Sequence, residues 1–213
     1  MLEKLFQGVK EFQQEDFEKH RKLFESLYNN QDPHTLFIGC CDSRVVPSMI
    51  TKTAPGELFI IRNIANIVPP YKETEEFVST IAAIEYALHK INIKNIVICG
   101  HSNCGGCEAL YLEEEKTKDI PNVKKWLELA GEVKKRVSKI VPANDIRARD
   151  WMTEQLNVVL QIEHLLTYPG VKKRVKEGSL NILGWHYIIQ TGEIYNYSFE
   201  KRKFELLREN DIK

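Results

Sequence analysis

The 213-residue chain has no excess of charge: thirty Lys and Arg balance thirty Asp and Glu. A neutral balance leaves no electrostatic surplus to hold a polyanion or an anionic membrane, so neither nucleic acid nor membrane is expected as a partner. Long apolar runs are also missing. Met1-Leu2-Glu3-Lys4 opens a segment that mixes charged and apolar residues, and no stretch reaches the length of a signal-peptide core or a membrane span. Cysteine is scarce and odd in number, at five, which argues against a disulfide framework and fits a soluble protein of the reducing cytoplasm. No repeat, linker or low-complexity tract interrupts the chain, whose length suits one domain with a full core.

Hydrophobic periodicity supplies the architecture. Leu2, Leu5, Phe6 and Val9, then Leu23, Phe24 and Leu27, recur at helical spacing, so the first thirty residues are predicted to form amphipathic helices that lie against another surface. Asp32-Pro33 ends that pattern. Apolar runs at Thr35–Cys40, Leu58–Ile61 and Asn95–Cys99 are predicted strands, and Glu73 to His89 is a predicted helix through Phe77, Ile81, Ile84 and Leu88. Beyond Pro121 one helical stripe runs through Val123, Trp126, Leu127, Ala130 and Val133, and another from Trp151 to Leu166. Leu180 to Gln190 is a predicted strand, with Glu193–Tyr197 as its hairpin partner across Thr191-Gly192. Strands alternating with helices predict an α/β domain whose central, mostly parallel sheet is flanked by helices and carries an antiparallel edge strand. Ligands of such sheets gather beyond the carboxyl ends of the strands.

The chemistry-bearing residues stand at two such ends. Cys40-Cys41-Asp42-Ser43-Arg44 follows the first strand, and His101-Ser102-Asn103-Cys104 follows the third. Two thiolates and an imidazole suit a tetrahedral zinc ion and leave a fourth position for solvent. Taken singly, each has a plainer role: a buried cysteine acts as a small hydrophobe, and an Asp42–Arg44 contact as a surface ion pair. Cys104-Gly105-Gly106-Cys107 is also a C-x-x-C motif of the kind used for thiol-disulfide exchange, which leaves an oxidoreductase as the rival function. A structural zinc module with Asp42 as fourth ligand is a third reading. Cys41 and Cys99 are read as structural.

The motifs Cys40-x-Asp42-Ser43-Arg44, Gly56-Glu57-Leu58-Phe59, Arg62-Asn63-Ile64-Ala65-Asn66 and Gly100-His101-x-x-Cys104-Gly105-Gly106 occur in the order found in β-class carbonic anhydrases. The chain resembles that family, closely over residues 30 to 112 and more loosely elsewhere. The resemblance implies one Zn²⁺ per subunit on Cys40, His101 and Cys104, with Asp42 and Arg44 as the catalytic pair. It implies reversible hydration of carbon dioxide to bicarbonate, by a zinc-activated hydroxide that Asp42 orients. Relatives that hydrolyse carbon disulfide-type heterocumulenes leave that substrate class as an alternative.

The plant-type, open-site branch is the better match. Gln31, Phe59, Ile64, Tyr86 and Gly105 are implied to line the substrate pocket. In closed-site relatives a tryptophan three residues before the first cysteine joins an arginine and a tyrosine around an inhibitory bicarbonate; here Phe37 replaces it, although Arg62 and Tyr187 match. An open resting site is therefore expected, closing only if Asp42 takes the metal's fourth position as pH falls. His89, Tyr86 or buffer would carry the departing proton. The family further implies a homodimer or a dimer-based higher oligomer. Residues 1–30 would form a helical arm over the partner, 31–112 the zinc-site core, and 113–213 a helical segment and the final strands.

Overall fold

The computed structural model describes residues 1–72 and 76–208. Helix α1 (Leu2–Glu11) continues through a π-helical turn at Phe12–Asp16 into α2 (Phe17–Leu27). The apolar stripe is present as predicted, yet Leu2, Leu5, Phe6, Val9 and Phe12 are exposed, because no layer among the described residues covers them. Then come β1 (Thr35–Cys40), α3 (Pro47–Thr51), β2 (Leu58–Asn63), α4 (Val78–Tyr86), β3 (Asn95–His101) and α5 (Gly105–Glu108). The remaining elements are α6 (Glu114–Thr117), α7 (Pro121–Leu127), α8 (Gly131–Ser138), α9 (Ile146–Leu165), α10 (Pro169–Lys176), β4 (Asn181–Tyr187), β5 (Ile194–Ser198) and β6 (Lys203–Leu206). Among the described residues, no helix is long and apolar enough to cross a membrane.

One six-stranded sheet runs in the order β2-β1-β3-β4-β5-β6, parallel through its first four strands and antiparallel through the last two. β1 is buried at every residue, which explains its unbroken apolar run where a half-exposed strand would alternate. The chain leaves β1 for β2 on one side and enters β3 on the other. That reversal opens a crevice beyond the carboxyl ends of β1 and β3, where Cys40 and His101 stand.

Leu36, Ile38, Ile96 and Ile98 of the sheet pack with Ile84 and Leu88 on one side of the chain's path and with Val158, Ile162 and Leu165 of α9. Each such side chain contributes about 1.5–3 kcal/mol on burial. A second apolar cluster surrounds Cys40, Cys104 and Cys107 with Ala65, Ile67, Val133, Val137 and Leu160.

Several boundaries differ from expectation, each for a local reason. Of the predicted helix 73–89, residues 73–75 lie outside the described residues; the helix begins at Val78, after Phe77 in a left-handed conformation (φ 57°), and passes into a π-helical turn at Ala87–Ile91. The long helix starts at Ile146 and not Trp151, since the Asp145 carboxylate accepts the Ala148 N–H at 3.0 Å and caps it. The strand expected to reach Gln190 stops at Tyr187. There the Ile188 N–H turns to Glu193 O (2.8 Å) and the Gly192 N–H to Ile188 O (2.9 Å), with Gly192 at φ 79°. The antiparallel edge has two strands where one was expected. β6 escaped notice because its Lys203-Phe204-Glu205-Leu206 is short and half charged.

Candidate metal centre

Cys40, His101 and Cys104 come together with their ligand atoms all within 4.8 Å of one another, and all three are buried. The two Sγ atoms are 4.0 Å apart, close to the roughly 3.8 Å that two thiolates span on a tetrahedral zinc. His101 Nδ1 lies 3.0 Å from Ser102 O and so donates to that carbonyl; this directs the Nε2 lone pair at the cysteines. Nε2 is buried and has no hydrogen-bond partner among the described residues. An orphaned imidazole nitrogen facing two sulfurs fits a metal ligand set.

Charge in this pocket is held in check without a cation. Hydrogen bonding to Cys104 and burial push the Cys40 thiol up to about 12, and the contact with Cys107 raises Cys104 as well. Burial lowers His101, but the nearby Cys40 sulfur and the Ser102 carbonyl outweigh it and leave the imidazole raised. A divalent ion would compensate the two thiolates and displace their protons.

The ligand loops are tightly fastened. The Ser102 N–H donates to Tyr187 O (2.9 Å), the Ile189 N–H to Ser102 Oγ (3.0 Å), and the Cys104 N–H to Glu154 Oε1 (3.2 Å). Arg44 grips Asp42 at two points: Nε donates to Oδ1 (2.9 Å) and Nη2 to Oδ2 (2.7 Å), while the Arg44 N–H also donates to Oδ1 (2.9 Å). The Arg44 guanidinium holds the Asp42 carboxyl well below the usual carboxylate range. A further bond from Arg44 Nη2 to Asn103 O (3.2 Å) joins the two ligand loops. Asp42 Oδ2 remains 4.0 Å from His101 Nε2, beside the cluster.

Arg62 serves this loop too. Its Nε donates to Cys40 O (3.0 Å) and its Nη2 to Asp42 O (2.6 Å), so the guanidinium is engaged with main chain. Phe37 is fully buried and packs edge-on against Trp185 at 6.3 Å.

The five candidate pocket residues divide into two groups. Ile64 and Gly105 adjoin the cluster: a Cβ on the neighbouring Gly106 would fall 2.9 Å from Ala65 Cβ and 3.0 Å from Ile64 Cγ2, whereas Gly105 opens onto free space. Ala65 holds a left-handed φ of 59°, kept there by Asn157 Nδ2 donating to its carbonyl (2.8 Å) and by Trp126 Nε1 donating to Ile64 O (2.9 Å). Phe59 and Tyr86 form the second group, stacked with ring centroids 6.0 Å apart. Phe59 pairs with Leu36 where Asn63 pairs with Cys40, which puts it about 13 Å along the strand from its own chain's ligands. Gln31 is exposed at the end of the arm. His89 sits beside Gly170, before β3 begins and so at the opposite end of the sheet from the ligands.

Sequence reasoning missed Glu154, His186, Asn157 and Trp126. A signal existed for two of these: Glu154, Asn157 and Gln161 recur at helical spacing beside Val158, Ile162 and Leu165, a polar row set into a buried face. Cys107, the rival nucleophile, is buried within α5, as is Cys104 just before it, and a thiol exchange centre needs an accessible sulfur.

Comparison with known proteins accords with this geometry. A family model described as carbonic anhydrase matches residues 35–194. A carbonic anhydrase from Helicobacter pylori is 45% identical over 207 residues, covering 96% of this chain and 94% of the relative. The solved β-carbonic anhydrase CcaA superposes with a TM-score of 0.88 at 34% identity, covering 97% of this chain and 92% of that one. One of two tetrameric β-carbonic anhydrases from Sordaria macrospora superposes at 0.71 with 31% identity, covering 91% and 92%. Matched along most of its length, and with a two-cysteine, one-histidine cluster at the reversal of its parallel sheet, the chain belongs to the β-class carbonic anhydrase family.

Proposed function

We propose that this chain catalyses the reversible hydration of carbon dioxide to bicarbonate and a proton, with one zinc ion per subunit on Cys40, His101 and Cys104. The observation that carries the reading is the meeting of two buried sulfurs with an unpartnered imidazole nitrogen, next to a carboxylate that an arginine turns aside. Zinc bound there supplies a Lewis acid that makes water nucleophilic near neutral pH. Asp42, kept anionic by Arg44, accepts a hydrogen bond from the attacking oxygen and aims its lone pair at the substrate carbon. With both carboxylate oxygens engaged by Arg44, Asp42 would be held back from a bound metal. Ile64 and the Gly105 peptide form the pocket wall on this subunit.

A dimer-based assembly completes the pocket. The chain exposes 13944 Å², against about 10,000 Å² for a compact monomer of its size, and the surplus includes the bare apolar stripe of the arm. Phe59 and Tyr86 lie too far from their own ligands to touch the same substrate, so with Gln31 they line the site of a neighbouring copy. Five free cysteines support a reducing, cytoplasmic setting.

The test is stopped-flow carbon dioxide hydration on metal-quantified protein, beside Cys40→Ala. One zinc per chain with rapid hydration, and loss of both in the variant, is the expected result. Purified reduced protein without stoichiometric metal would overturn it.

A further inference from the structure

Behind the ligand loop lies a buried polar pair that the proposed chemistry does not use. Glu154 of α9 is 5% exposed and His186 of β4 is 0% exposed. Glu154 Oε1 accepts the Cys104 N–H at 3.2 Å, and Oε2 lies 3.0 Å from His186 Nε2. Gln155 Nε2 approaches His186 Nδ1 at 3.5 Å. A donor at Nδ1 leaves the ring proton on Nε2, so His186 donates to Glu154, whose two oxygens are then both acceptors. Trp151 packs edge-on against the His186 ring at 4.8 Å, and Phe204 follows at 6.3 Å.

Burying a carboxyl group and an imidazole costs stability that an apolar pair at the same positions would not. What the pair secures is one peptide. Cys104 follows Asn103, whose φ is 55°, and it precedes the four-residue α5, so its N–H belongs to no strand and no helical ladder. Glu154 is the acceptor that satisfies it. The same bond ties the turn to α9, and through His186 to β4, the strand paired with β3 up to His101 and Tyr187.

We propose that Glu154, oriented by His186, is a positioning residue for the third metal ligand: by fixing the Cys104 peptide it sets the direction of Sγ toward Cys40 Sγ and His101 Nε2. This rests on the metal reading given above. Partners behind a ligand govern metal affinity as well as activity, so binding can be read directly.

The experiment measures zinc affinity by competition with a chromophoric chelator, and the thiolate charge-transfer band of the cobalt(II) form, for wild type and for Glu154→Ala, Glu154→Gln and His186→Asn. Glu154→Ala is expected to weaken zinc about 10- to 100-fold and to shift the cobalt band. Glu154→Gln keeps an oxygen for the Cys104 N–H and is expected to recover most of both. His186→Asn is expected to weaken zinc while Glu154 is present and to add nothing in the Glu154→Ala background, as a residue acting through another must. Should Glu154→Ala fail to fold, His186→Asn and Glu154→Gln decide. Variants that melt earlier yet keep wild-type zinc affinity and an unshifted band would reduce the pair to packing and overturn the inference. A wild-type protein that takes up no stoichiometric zinc would overturn the metal reading instead.

Discussion

Cys40 and Cys104 are 64 residues apart in the chain, and their Sγ atoms meet at 4.0 Å. With Cys40 pushed up to about 12 and Cys104 also raised, both thiols carry protons near neutral pH in the metal-free protein. Zinc must displace both. Affinity therefore rises with pH, by about a hundredfold per unit for two protons released, and more steeply once the pH falls below the raised value of His101, whose proton then adds to the count. Chelator competition across a pH series measures the slope; a flat line would exclude thiolate ligation.

Arg44 decides where the Asp42 carboxylate points. Arg44→Ala frees Oδ2 and leaves Oδ1 held only by the residue-44 main-chain N–H, which lets Asp42 turn toward the metal, so turnover should fall about a hundredfold or more while zinc content stays at one per chain. The loss should deepen toward acidic pH, where solvent competes less well for the fourth position. A variant with wild-type rates from alkaline to mildly acidic pH would remove the pair from the mechanism.

Cys40 and Cys107 should separate the metal reading from the thiol-exchange reading. Cys40→Ser should lose zinc and hydration, whereas Cys107→Ser should keep both and lose about 1–3 kcal/mol of stability for a buried hydroxyl. A thiol oxidoreductase would show the reverse pattern in metal analysis and a disulfide-exchange assay.

His164, away from the metal centre, gives the fold a pH dependence. Burial lowers its pKa in the folded state, with its Nδ1 donating to Val68 O at 2.8 Å. The unfolded chain then binds more protons than the folded one below about pH 6.5, so stability is full above that value and falls as pH drops toward the folded pKa. Because the raised His101 acts with the opposite sign in metal-free protein, the decline should be read as the difference between the urea unfolding curves of wild type and His164→Asn. His164→Asn should flatten it, and an unaltered decline in the variant would assign it to other groups.

The bare stripe on α1 offers a test of the proposed assembly. Leu5→Glu with Phe6→Glu should shift light scattering toward monomer, leave zinc content intact and depress turnover, because Phe59 and Tyr86 would no longer reach a partner's site. A fully active monomer would place the whole pocket within one chain.

Residues local to a motif were legible in the sequence. Strand runs ending at Cys40 and at Cys99, just before His101, the ligand spacing His101-x-x-Cys104 and the helical period of the arm depend only on neighbours along the chain, so composition and periodicity determined them. Family resemblance added the roles. Tertiary structure alone decided that Arg62 is spent on the Cys40 and Asp42 carbonyls and that Phe59 stacks on Tyr86 far from its own ligands. It alone revealed the Glu154–His186 pair as well, since a glutamate on α9 and a histidine on β4 become partners only when helix and sheet pack. The physical reason is common to all of these: such contacts join segments distant in sequence, and their geometry is set by the sheet order, which brings β1, β3 and β4 side by side.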